Sequence, residues 1–320
     1  MWRRPFPWLI GLMVLLFALI PYCTNDVQLR ESLLLAALYI VLASNLNLMI
    51  GYAGYVNFGN IVFFGLGGYF CVYLVDAWQW QLLPSALAAG FAVGALALLF
   101  GLGILRLRGA FFALATIGVN EAIRQFVANF EPWGGATGIY LSLDAYRPLG
   151  GPMQALWTAY FLMVAVMGAS LFLSDAIKNS KFGLGLLAIG QNEDAASVLG
   201  VPTPGYKAVV YTASAFLPAL AGGIYFFKSG IIEPAGAFNL SLSIEAIVMV
   251  MLGGQGTVIG PAVGAFLYEE LRGLLLTSEA FSHFQLVIAG SLLLIIVLFV
   301  PGGLMGFIHR QFPRTRHWLE

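Results

Sequence analysis

Ten apolar stretches follow one another along the chain, at residues 8–23, 32–50, 58–75, 82–105, 110–128, 154–174, 207–227, 240–253, 260–277 and 284–300. About 20 apolar residues carry a helix across a hydrocarbon layer roughly 30 Å thick. In that layer each backbone N–H and C=O must find its partner within the protein. The chain is 60% hydrophobic and only 9% charged, against about 25% charged for a soluble domain. No soluble core absorbs that many apolar side chains. The pattern predicts an all-α integral membrane protein of about ten transmembrane or partly re-entrant helices, the eighth and ninth being short for full spans. The opening MWRRPFPWLIGLMVLLFALIPYC has the basic start and apolar run of a secretory leader. No small-residue cleavage site follows it, so it reads as a retained first span.

Charge placement orients the spans. With the N-terminus cytoplasmic, an even number of spans returns the C-terminus to the cytoplasm. The inner segments then hold Arg3, Arg4, Arg106, Arg108, Lys178, Lys181, Lys207, Arg310, Arg314 and Arg316, ten of the fifteen basic residues, as the positive-inside bias requires. The opposite side receives 76–81, 129–151 and 228–239, where only Arg147 and Lys228 are basic. Two hydrophilic segments exceed what a connector needs: the outer loop 129–151 and the cytoplasmic loop 175–206. The rest is tight, so residues 1–320 read as one membrane domain.

Familiar catalytic patterns are missing. There is no G-x-x-x-x-G-K-[ST] phosphate loop, no H-E-x-x-H, no G-x-S-x-G and no C-x-x-C. Cys23 and Cys71 are far apart, the three histidines have no paired spacing, and the aspartates lie at span ends or in loops. Neither a catalytic residue nor a metal ligand is assigned. The formal net charge of zero gives no reason to expect a nucleic-acid partner.

Polar side chains within the spans are more informative, because an ionisable group in lipid faces a bundle interior or an aqueous route. In TIGVNEAIRQFVANF, Glu121 and Arg124 stand three apart on one helix face. Thirteen residues beyond Arg108, at about 1.5 Å each, put Glu121 roughly 20 Å up the layer. The pair either lines a route or locks two helices. Asn45, Asn47, Asn57 and Asn60 lie among glycines in 43–70, a composition that favours close helix packing. G-x-x-G breaks at 51–54 and 253–256 raise the possibility of an interrupted element in each half, a mark of transport routes. In 243–266, SIEAIVMVMLGGQGTVIGPAVGAF, Glu245 is expected about 8 Å below the outer end of its helix, within reach of water, a helix N-terminus or Arg124. Gly253, Gly254 and Gly256 are expected to end that helix, and Pro261 to open the next.

In GQNEDAASVLGVPT (190–203), Glu193 and Asp194 precede Ala195 and Ala196, and Gly200 follows four residues later. Asp194, the alanines and the glycine fit E-A-A-x-x-x-G with aspartate for glutamate. This predicts a short helix with a small-residue face and a glycine in a left-handed cap.

Taken together, NLMIGYAGYVNFGN (47–60), LRLRGAFFALATIGVNEAIR (105–124), GGATGI (134–139), the acidic-Ala-Ala loop and SLSIEAIVMVMLGGQGTVIGPAVGAF (241–266) resemble the permease subunits of branched-chain (hydrophobic) amino-acid ABC importers. The similarity is to the LivM-like member of the pair and runs from about residue 32 to 306. It implies a permease subunit, not an enzyme, in a bacterial inner membrane. Its implied partners are a second homologous permease, two cytoplasmic ABC ATPases that bind the ATP, and an extracytoplasmic solute-binding protein. Alternating access would move the solute. Glu193, Asp194, Ala195, Ala196 and Gly200 would receive the ATPase stroke. Asn57, Glu121, Arg124, Glu245, Gly253, Gly254 and Gly256 would line the route or lock helices. The family places an arginine where this chain has Gly190, so one basic contact to the ATPase is absent. Branched-chain amino acids are the family's commonest cargo, and urea, short amides or aromatic acids are others. The competing readings are a secondary ion-coupled transporter using Glu121 or Glu245 and, more distantly, a membrane scaffold.

Overall fold

The computed structural model describes residues 6–24, 26–276, 287, 291 and 303–306. The tenth apolar stretch falls outside these apart from Val287 and Ser291. The described chain is mostly helical. Its long helices are α1 (Phe6–Thr24), α2 (Val27–Asn47, prolonged by a π-helical turn Leu48–Tyr52), α3 (Asn60–Trp78), α4 (Leu82–Ile104), α5 (Gly109–Ala128) and α6 (Pro152–Lys178). Two short helices follow, α7 (Lys181–Gln191) and α8 (Glu193–Val198), then the long α9 (Thr203–Ser229). A single turn α10 (Pro234–Ala237), α11 (Leu240–Gly253) and α12 (Gly260–Leu276) complete the set.

Among the described residues, six helical segments are long and apolar enough to cross a membrane: Val27–Tyr52, Asn60–Trp78, Leu82–Ile104, Pro152–Lys178, Thr203–Ser229 and Pro234–Gly253. Of the ten expected, the tenth lies almost wholly outside the described residues, and three others fall short in length or composition. α1 offers only a shorter apolar helix, Trp8–Thr24, α5 carries NEAIRQ in its second half, and α12 has 17 residues.

α2 is the central post, with almost every residue from Leu34 to Met49 buried. Small and amide side chains make this possible: Asn45 Nδ2 donates to Ser170 Oγ of α6 at 3.0 Å. The helix starts five residues earlier than hydropathy indicates. The Asp26 carboxylate caps it, accepting from the N–H groups of Gln28 (2.8 Å) and Leu29 (3.3 Å). Arg30, which lowers the apolar reading there, is buried with its guanidinium 4.9 Å from the Trp157 ring centroid. α3 and α9 cross so closely that Gly67 rests on the Ala219 backbone and Gly222 on the Phe64 carbonyl, the small-residue packing expected in lipid.

α5 is attached along one narrow line. Phe112, Thr116, Asn120 and Val127 are its buried residues. Thr116 Oγ1 accepts from Phe58 N–H at 3.2 Å, and Asn120 Nδ2 donates to the Phe238 carbonyl at 3.0 Å. A two-residue antiparallel ladder, β1 (Ile139–Tyr140) with β2 (Ile231–Ile232), joins the 129–151 loop to the segment after α9.

Candidate functional site

α7 and α8 sit at one end of the bundle, and α8 is fixed there by charge. Glu193, its first residue, has a side chain only 13% exposed, and that of Lys207 on α9 is 4% exposed. Lys207 Nζ donates to Glu193 Oε1 at 2.7 Å, to the Leu105 carbonyl at 2.8 Å and to Tyr55 Oη at 3.1 Å. Tyr55 Oη in turn donates to Glu193 Oε2 at 2.5 Å. Arg108 Nε lies 3.4 Å from the same carboxylate, and its Nη1 reaches Asp194 at 2.9 Å. Burial alone would raise the Glu193 carboxyl; hydrogen bonds from Lys207 and Tyr55, with the charges of Lys207 and Arg108, hold it below the ordinary carboxylate range. Three separate parts of the chain therefore converge on one acid.

That acid is Glu193 and not the motif's Asp194, whose side chain is 80% exposed and bonded to Arg108 alone among the described residues. The two alanines also differ. Ala196 is buried, whereas Ala195 faces outward. Asn192 caps the helix by accepting from Ala195 N–H at 3.0 Å. At the other end Gly200 adopts φ +89, Val201 N–H bonds the Ala196 carbonyl and Gly200 N–H bonds that of Ser197, both at 3.0 Å. This is the left-handed glycine cap anticipated for Gly200. Immediately before it, Val198 and Leu199 are 88% and 82% exposed. No reading of the sequence singled them out, although an apolar pair inside a polar loop is a visible signal.

The two G-x-x-G breaks meet. Gly51 of the π turn lies against the backbone of Gly256, and between them Asn47 donates from Nδ2 to the Thr257 carbonyl and accepts at Oδ1 from Gly256 N–H, both at 2.9 Å. α11 ends at Gly253, with Gly254 at φ 122 and Gly256 at φ 75, and α12 begins at Gly260, one residue before Pro261. Gly54 of the first break, at φ 75, abuts Gly190 of α7. A Cβ on Gly190 would stand 2.7 Å from the Tyr52 carbonyl oxygen. The arginine expected there has no room.

The remaining polar residues separate into buried and exposed sets. Asn57 is buried and accepts from Gly59 N–H at 3.0 Å, while its Nδ2 has no partner among the described residues. Glu121 and Arg124 form a two-pronged pair, Nε to Oε2 at 2.9 Å and Nη2 to Oε1 at 2.6 Å, and Gln125 adds a bond of 2.8 Å to Oε1. Their side chains are 52% and 37% exposed, and these bonds stay within α5 rather than reaching a second helix. Glu245 stands five residues into α11, which starts at Leu240 as expected, but it is 5% exposed, buried in the protein rather than open to water. Arg272 hydrogen-bonds Tyr39 Oη of α2 and pairs with Glu269 at 3.6 Å. Glu269 and Arg272 of α12 are not among the residues that the sequence pattern singles out. Among the described residues no three His, Cys, Asp or Glu side chains are grouped to hold a metal ion.

A helical membrane protein with paired backbone breaks, joined to an anchored helix that presents apolar side chains in a polar loop, has the build of a transport permease. Residues 28–298 match the family described as branched-chain amino acid transport system / permease component, and the chain belongs to that family of ABC-type permeases. It is 26% identical over 312 residues to the high-affinity branched-chain amino acid transport system permease protein LivM of Escherichia coli (strain K12), covering 89% of this chain and 70% of the relative. LivH of Salmonella typhimurium is 24% identical, with 87% and 94% covered. The ribose import permease protein RbsC of Bacillus subtilis (strain 168) is 28% identical, with 58% and 61% covered. No solved structure matches the chain.

Proposed function

We propose that the chain is one of two homologous permease subunits of an ABC importer that carries branched-chain or other small amino acids across a bacterial inner membrane. A solute-binding protein outside delivers the cargo, and two ATPases inside drive its passage. The observation that carries this reading is α8: a six-residue helix anchored from behind by the Glu193–Lys207–Tyr55–Arg108 network, with Val198 and Leu199 turned outward. An anchored helix with an apolar knob is a handle for a partner that moves. ATP binding belongs to that partner, in keeping with a chain that carries no phosphate loop.

Two features support opposite sides for α8 and the two outer loops, as the proposed topology with cytoplasmic termini and a cytoplasmic α8 requires. α9 runs 27 residues, about 40 Å at 1.5 Å per residue, so α8 and the β1–β2 ladder lie at opposite ends of one rod. The two loops assigned to the outer side, 129–151 and 228–239, are the ones that this ladder joins. The exposed Glu121–Arg124–Gln125 stripe cannot face lipid at low cost. It suits the face toward the second permease and the solute route between the two.

The broader match to LivM, 89% of this chain against 58% for the ribose permease, favours amino acids, whereas the likeness to ribose permeases favours a second cargo class, sugars. Uptake into proteoliposomes holding the complete importer, with labelled leucine, ribose and urea in parallel, decides among them. Leucine is the expected cargo, and uptake confined to ribose or urea would change it. Replacing Gly200, or the Ala195–Ala196 pair, by bulky residues is expected to abolish uptake while the chain still inserts. Undiminished uptake in such variants would remove α8 from the coupling role.

A further inference from the structure

The first break touches a different partner on each side. On the side of α7, Gly54 and Gly190 meet backbone to backbone: a Cβ on Gly54 would stand 3.1 Å from the Gly190 Cα. Toward α11 and α12, Gly51 leaves no room for a Cβ beside Gly256, and the Asn47 amide spans the gap with its two hydrogen bonds. Asn47 is fully buried, where hydrogen bonds are strong and an unmet amide is costly. Backbone pressed on backbone has no rotamer slack, so a displacement on one side is handed on rather than absorbed. The turn between these contacts is the π-helical Leu48–Tyr52, a geometry found where helices serve function.

We propose that Asn47 is the positioning residue that ties the second break to the first. The displacement of α7–α8 then passes from Gly190 to Gly54, along the π turn to Asn47, and on to Gly256 and Thr257. Both interrupted helices move as one body, and without the Asn47 amide the 253–260 segment stays behind. This relay rests on the importer reading above and adds to it the internal path of the stroke.

The test uses the assembled importer, with a cysteine at the exposed Gln255 in the second break and Cys23 replaced by serine. Maleimide labelling at 255 is compared in the nucleotide-free and ATP–vanadate states. With Asn47 present, the two labelling rates are expected to differ by about fivefold, the lower end of ordinary coupling between sites. Asn47→Ala is expected to remove the difference while ATP hydrolysis is little changed. Asn47→Asp, which keeps the acceptor for Gly256 N–H, restores part of it. Gly190→Ala, which presses on the Tyr52 carbonyl, gives the same loss from the other end and serves if Asn47→Ala does not assemble. A nucleotide-dependent difference that survives in Asn47→Ala, or is missing from a hydrolysing complex that retains Asn47, overturns the relay. An assembled complex that hydrolyses no ATP counts instead against the importer reading.

Discussion

Lys207 is a buried ammonium with three acceptors, and only one of them, Glu193, carries a full charge. Removing the acid leaves the lysine unpaired in a low-dielectric setting, whereas removing the lysine leaves Glu193 with Arg108 and Tyr55. Glu193→Ala is therefore expected to destabilise the protein by on the order of 3 kcal/mol, and Lys207→Met by less. The double variant Glu193→Leu with Lys207→Met should recover most of the loss, since apolar replacements leave no orphan charge. Unfolding midpoints of the detergent-purified protein check the order. The same network fixes a pH response. Because the Glu193 carboxyl is held below the ordinary range, its contribution is complete above the unfolded value near about 4.3 and is lost as pH falls through the lower folded value. The midpoint gap between the wild type and Glu193→Gln should be flat from neutral pH to about 5 and close below about 4.

Among the elements, the junction of the two breaks has the least tolerance. Gly51→Ala puts a methyl into the Asn47 amide and the Gly256 backbone, and overpacking of this kind costs about 1–3 kcal/mol. Gly103→Ala, inside α4 with nothing near its added Cβ, should be neutral or stabilising by up to about 1 kcal/mol. Thermal unfolding of the two variants side by side separates them, and a Gly51→Ala protein as stable as Gly103→Ala would discredit the junction. Periodicity and hydropathy made α4, α11 and α12 legible within a residue or so, and GGQG and Pro261 marked where the hairpin turns. They could not show that Gly51 meets Gly256, because a contact across some 200 residues leaves no local trace. The start of α2 was hidden for another reason: Arg30 counts as polar in any window, yet the Trp157 ring lets it be buried. At the anchored helix, the alanines and Gly200 were readable, but Lys207 passed for an ordinary loop charge. Gly190 stands where the family carries a basic contact, and the Tyr52 carbonyl that fills the space is a neighbour from 138 residues earlier, with no local mark in the sequence.

At the scale of the whole molecule, the α8 end and the ladder end are separated by the length of α9, and the proposed orientation sends them to opposite sides of the membrane. In a chain whose Cys23 is replaced by serine, a cysteine at the exposed Leu143 should react with an impermeant maleimide in intact spheroplasts. One at Val198 should react only after the membrane is opened. The reverse pattern would invert the topology.

The exposed Val198–Leu199 knob has a consequence for the life of the protein in a cell. Two large apolar side chains held out into water by a rigid cap resemble the surface that a damaged protein offers to degradation machinery. If the proposed ATPases seat on this knob, a chain made in excess of them keeps that surface bare, while one that has found them hides it. On that proposal, supply would be matched to demand after synthesis, by removal of the surplus. Pulse–chase half-lives should be short when the chain is made alone and longer when its partners are co-produced. They should also lengthen in a Val198→Ser, Leu199→Ser variant that has no partners at all.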